Sequence, residues 1–150
     1  TLGLLRELKK RDYKIYAYIP KERNDNLSEH FKQLFEKWNC INKKKDDQVV
    51  KEIIDDGINI LFDAQGHSSN NRLTIFAYKP APVQVTWLGQ GSTGIPEIDY
   101  FVGNQIINPE SEDSHYVENV FKLNNISQTF LKPDSKIEIN DLPYLKNKFI

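Results

Sequence analysis

Short runs of strand composition alternate along this chain with segments whose apolar residues recur at helical spacing. No other feature of the sequence limits the fold so tightly. Residues 13–19 are rich in aromatic and β-branched side chains and stop at Pro20. A short strand is expected around Trp38 and Ile41, a compact apolar one at 58–62, an alternating one at 83–88, and further strands at 98–102 and 119–123. Between them, Leu27, Phe31, Leu34 and Phe35 predict a helix capped by Asn26 or Ser28. Val49, Val50, Ile53 and Ile54 predict another, capped by Asp46 or Asp47 and stopped near Gly57. Leu2, Leu4, Leu5 and Leu8 line one face of an opening helix. Leu73, Ile75, Phe76 and Ala77 give a short helix ended by Pro80 and Pro82, and one more is expected around His115 and Tyr116. Strands alternating with helices imply an α/β fold with a parallel sheet covered on both faces. Ligands of such sheets gather at the carboxyl ends of the strands, which singles out the loops after Phe62 and Leu88.

The chain has 150 residues, enough for one domain with its own core, and its 39% apolar and 27% charged residues are ordinary for a soluble globular protein. A net charge of -1 removes the electrostatic case for nucleic acid. The one basic run, Lys43, Lys44 and Lys45, is answered at once by Asp46 and Asp47. No apolar run approaches the ~20 residues of a membrane helix, and no signal peptide opens the chain. Cys40 has no partner for a disulfide within the chain and falls where a strand would bury it. With the missing export signals, this fits a reducing, cytoplasmic compartment. His30, His67 and His115 lack metal-ligand spacing, so no metal is expected. The chain lacks methionine, opens inside a helical pattern and closes on Phe149 and Ile150 without a stop signal, so both ends read as cut from a longer polypeptide. Residues 131–141, with Pro133 and several polar side chains, read as a linker. The domain is therefore placed at 1–130, with 131–150 as linker or the start of an intervening segment.

Two segments carry unusual residues. The first, 63–72, follows a buried strand and precedes a helix. Gly66 permits a backbone conformation or close approach that other residues resist, and His67 suits a substrate hydroxyl or phosphate. A capped turn in which His67 holds a backbone group is the alternative. The second, 79–94, stiffens the approach to a strand with Pro80 and Pro82 and then opens into Gly89, Gly91 and Gly94, a loop whose amides can approach a ligand closely. It lacks the Gly-Lys-Ser/Thr ending of a Walker loop. The glycine spacing fits a dinucleotide fingerprint formally, but Glu97 and Asp99 lead into a strand where that fingerprint needs a helix. Asp99 and Tyr100 either orient something near this loop or make a sheet-edge hydrogen bond.

Taken together, Gly66-His67-Ser68, Asn71-Arg72-Leu73, Phe76-Ala77, Pro80-Ala81-Pro82-Val83-Gln84-Val85-Thr86-Trp87-Leu88-Gly89, Thr93-Gly94 and Ile98-Asp99-Tyr100 resemble the signature of the protein O-linked N-acetylglucosamine transferase and SPINDLY family. The resemblance spans roughly residues 1–130 and is dense between 57 and 110. It implies a GT-B glycosyltransferase whose two Rossmann-like lobes face each other across a cleft, this chain being most of the first. Such enzymes transfer a sugar from a nucleotide sugar to a serine or threonine hydroxyl of a protein, with inversion and without metal or cofactor. The donor implied is UDP-N-acetylglucosamine, and tetratricopeptide repeats and a second catalytic lobe are expected elsewhere in the full-length chain.

By the same resemblance, Leu88, Gly89, Gln90 and Gly91 lie against the donor sugar, with Thr93 next to them and Gly66 and His67 lining the cleft. Family members often carry Tyr-Pro where this chain has Gln90 and Gly91. The family's catalytic histidine falls upstream of the opening helix, and its diphosphate-binding lysine and histidines belong to the second lobe. A related transferase using another donor, such as GDP-fucose, and a non-catalytic binding module are the alternatives.

Overall fold

The computed structural model describes residues 2–22, 25–89, 91–128 and 140–148. Helix α1 (Leu2–Lys10) leads into strand β1 (Tyr16–Ile19), helix α2 (Asn26–Lys32), strand β2 (Lys37–Cys40) and helix α3 (Asp46–Asp55). Strand β3 (Ile60–Asp63), a 3-10 helix (Leu73–Tyr78) and strands β4 (Val83–Trp87) and β5 (Tyr100–Asn104) follow. A second 3-10 helix (Glu110–His115), strand β6 (Asn119–Leu123) and helix α4 (Pro143–Asn147) complete the described residues.

Every pairing is parallel, as the alternation of elements requires. β1 pairs with β2, and the main sheet runs β3-β4-β5-β6, with Phe62 opposite Val85, Val85 opposite Tyr100 and Tyr100 opposite Asn119. Parallel order places the loops after β3, β4 and β5 at one edge of the sheet, where the functional residues were expected.

One core joins both sheets. Ile41 after β2, Val49 and Ile53 of α3, Leu61 of β3, the 3-10 residues Leu73, Ile75 and Phe76, and Ile98 before β5 form a single buried cluster. The helical spacing of Val49 and Ile53 turns α3 onto this face, where the two side chains are almost fully buried. Arg72 fastens the same junction. Its guanidinium donates to the Ile41 and Lys44 carbonyls, 3.0 Å each, and to the Asp46 carboxylate. On the opposite face of the main sheet, Ile60, Phe62, Tyr100 and Phe121 are exposed, while Val85 between them is buried.

Local details differ from the sequence reading for physical reasons. The cap of α2 is Asp25, whose side chain accepts from the Ser28 amide at 2.7 Å, and not Asn26 or Ser28. Asp46 begins α3 but does not cap it, because its carboxylate receives Arg72 and Thr74. The cap position is Lys45, whose amide donates to the Gln48 side chain. The segment at 73–78 is 3-10 in type and ends on Lys79 in the left-handed region, one residue before Pro80. Cys40 lies on a strand as expected, but is half-buried. Most of the segment read as a linker lies outside the described residues.

Candidate functional site

The site is built where the loops after β3 and β4 meet. Asp63, the last residue of β3, is buried and makes three bonds. Oδ1 accepts from the Gln65 amide at 3.0 Å, and Oδ2 accepts from the Gly66 amide at 2.9 Å and the Thr86 hydroxyl at 2.8 Å. The first two bonds curl the chain tightly after the strand, and the third ties that curl to β4. Gly66 then sits in the left-handed region at φ +52°, and a Cβ on it would lie 3.3 Å from the Gly89 Cα. A glycine is needed at 66 on two counts, backbone conformation and close approach of a second backbone.

The second loop starts with strain. Leu88 holds φ +72°, a left-handed conformation that costs a branched side chain on the order of 1 kcal/mol. Leu88, Gly89, Gly91 and Ser92 are partly exposed, while Thr93 is buried. Gly91 has open space where a Cβ would stand. Beside it lies an open cavity of about 530 Å³ whose lining includes Gly91, Ser92, Ile107, Pro109, Glu112 and Tyr116.

Two anchors hold this loop from opposite directions. From the carboxyl end of β3, exposed His67 places Nε2 3.2 Å from the Ser92 carbonyl; an acceptor there requires the nitrogen to donate. From the amino end of β6, buried Glu118 receives the Ser92 hydroxyl, the Thr93 amide and the Thr93 hydroxyl. The Ser92 oxygen in turn accepts from the Gly94 and Val117 amides.

The signature residues just outside the loop are also engaged. Gln84, fully buried, donates its side-chain amide to the Phe76 and Glu97 carbonyls at 2.9 Å each. Asp99 accepts from the Gln84 amide at 2.7 Å and from Lys79 Nζ at 2.5 Å, so the sheet-edge bond expected as one of its two roles is made. Burial pushes the Asp99 carboxyl up, but the bonds from Lys79 and Gln84 outweigh it and hold the group below its ordinary value.

The predicted residues Gly66, His67, Leu88, Gly89 and Gly91 thus come together at one place, although they derive from two segments. Gln90 lies outside the described residues. Thr93 belongs to the loop, but its hydroxyl is turned inward to Glu118. Sequence reasoning missed Asp63, Thr86, Ser92 and Glu118 as parts of the site. Glu118 left only a faint signal, an acid at the head of a strand, and nothing in linear spacing ties it to residues 25 positions away. His115 pairs with Glu112 at 2.7 Å on the exposed second 3-10 helix. Among the described residues, no group of three or more His, Cys, Asp or Glu side chains is arranged to hold a metal, and no helix is long and apolar enough to cross a membrane.

Known proteins resemble this chain in sequence and fold. The family model described as Glycosyl transferase family 41 matches residues 12–150. A Petunia hybrida protein named "Probable UDP-N-acetylglucosamine--peptide N-acetylglucosaminyltransferase SPINDLY" is 29% identical over 144 residues, covering 93% of this chain and 16% of the relative. The similarly named SEC protein of Arabidopsis thaliana is 30% identical over 140 residues, covering 87% of this chain and 14% of its own length. Among solved structures, a mutant of the Thermobaculum terrenum O-GlcNAc transferase superposes with a TM-score of 0.76 at 32% identity, over 84% of this chain and 25% of that one. The chain therefore spans only about a sixth of the Petunia relative. With a family model matching nearly its whole length and the same fold in a solved relative, this chain belongs to glycosyl transferase family 41.

Proposed function

We propose that this chain is part of an enzyme that transfers N-acetylglucosamine from UDP-N-acetylglucosamine to serine or threonine hydroxyls of proteins, inverting the anomeric centre. In that reading Gly66, His67, Leu88, Gly89, Gln90 and Gly91 form the wall beside the donor sugar. Thr93 contributes by holding the wall's shape. The observation that supports it most is the meeting of Gly66 and Gly89 beyond the carboxyl ends of β3 and β4, with strained Leu88 between strand and loop. Family membership and the names of the relatives support the choice of sugar and peptide acceptor.

The chemistry asks for few groups. The acceptor oxygen bonds to the anomeric carbon, the bond to the diphosphate oxygen breaks, and the transition state is oxocarbenium-like. The acceptor proton passes to a base expected upstream of this chain, and the leaving diphosphate is neutralised by the second lobe. What these residues offer is a close, fixed wall against which the sugar is aligned with its acceptor.

The test uses the polypeptide expressed from its complete reading frame. Calorimetric titration should show binding of UDP-N-acetylglucosamine in preference to GDP-fucose, and a peptide acceptor should be modified. The 150-residue chain alone should show no measurable transfer. Preference for GDP-fucose would replace the donor, and binding of neither nucleotide sugar would favour a non-catalytic binding module.

A further inference from the structure

We infer that Glu118 is a positioning residue for the donor wall, an acid outside the glycine loop that sets the loop's shape from the neighbouring crossover. The inference rests on the reading of that loop as the sugar-facing wall. Glu118 is 4% exposed, and both its oxygens are committed to the loop. Oε2 accepts from Ser92 Oγ at 2.7 Å, and Oε1 accepts from the Thr93 amide at 2.7 Å and from the Thr93 hydroxyl. Ser92 Oγ extends the grip by accepting from the Gly94 amide at 3.3 Å and the Val117 amide at 3.2 Å.

Among the described residues, the loop has few other side-chain restraints. Gly91 meets nothing within 4 Å of a built Cβ. On its far side the loop is held by His67, which is exposed and makes a 3.2 Å contact to the Ser92 carbonyl. A fully satisfied buried carboxylate is the strongest of these ties, because charge-assisted bonds in a water-poor setting exceed neutral exposed ones. Releasing it frees residues 91–94 to leave the position in which they complete the wall. The expected effect is a weaker hold on the donor and not a slower chemical step, since Glu118 is buried and both its oxygens are taken up by Ser92 and Thr93.

The experiment measures donor affinity, KM and kcat for the complete polypeptide with UDP-N-acetylglucosamine. Glu118→Ala loses three acceptor positions and should raise donor KM by about tenfold or more, with kcat within about threefold. Glu118→Gln keeps an oxygen for Thr93 and should stay within about threefold of the parent. A general loss of fold would instead lower active fraction and thermal stability and leave KM unchanged. If Glu118→Ala gives no soluble protein, Ser92→Ala carries the test, because it breaks one tie and leaves the Thr93 bonds.

Gly91→Phe separates this inference from the reading beneath it, since its side chain enters open space and should obstruct the donor without disturbing the fold. Donor binding lost in Gly91→Phe but untouched in a folded Glu118→Ala would overturn the positioning role and leave the wall standing. Binding untouched in both would remove the wall and the positioning role together.

Discussion

At the scale of single residues, the site depends on where a Cβ can be tolerated. Gly66 and Gly89 face one another, yet their requirements differ. Gly66 combines φ +52° with a 3.3 Å approach to backbone, whereas a Cβ on Gly89 would meet Thr86 Oγ1 at 3.5 Å and Gly66 Cα at 3.7 Å, ordinary contacts. Gly66→Ala should therefore destabilise the chain by about 1–2 kcal/mol, and Gly89→Ala by much less; thermal or urea unfolding of the two variants checks this. Equal losses would contradict the geometry. Gly66 was legible in the sequence as a glycine between a strand and a helix. Gly89 was legible as part of a glycine loop, but its packing against Gly66 was not, because close approach between residues 23 positions apart leaves no periodic trace.

At the scale of elements, α3 is joined to its neighbours by carboxylates. Asp46 holds Arg72 and Thr74, Glu52 holds Lys44 and Asn39, and Asp56 holds Lys37 and the Tyr18 hydroxyl. For Glu52 the Lys44 bond is the main cause of a lowered carboxyl pKa. For Asp46 and Asp56 burial acts upward first, and the hydrogen bonds and cations outweigh it. Burial, with the Asp56 carboxylate, pushes the Tyr18 hydroxyl well up. Folded values below unfolded ones mean stabilisation that is complete above the unfolded carboxylate range and lost as pH falls through the folded values. Thermal melts in a pH series should thus show little change from these groups between about pH 5 and 8 and a fall below about pH 4. Asp46→Asn should flatten that acid limb; an unchanged limb would contradict the assignment.

The elements themselves were largely visible beforehand. Strand β6 falls at 119–123 as expected, and β3 and β5 are displaced by one or two residues from the apolar runs that predict them. The cap of α2 was expected at Asn26 or Ser28 and falls on Asp25, because the spacing of apolar residues does not fix where the first helical turn begins. Helix α4 falls within 131–150, read as linker or the start of an intervening segment; Pro143 in its first turn is the sequence signal for it.

For the whole molecule, a continuous core between α3, β3 and the first 3-10 helix makes a rigid base from which the two loops project. Within the signature stretch, Arg72, Asp99 and the side-chain nitrogen of Gln84 spend their bonds fixing crossovers. Their spacing was legible as a motif, and their bonds were not. The central claim is that Gly66, His67 and residues 88–91 together face the donor sugar. Hydrogen–deuterium exchange on the complete polypeptide, with and without UDP-N-acetylglucosamine, tests it most directly. The account predicts donor-dependent protection in peptides covering both loops; protection elsewhere in the catalytic region, with both loops exchanging as in the free protein, would contradict it.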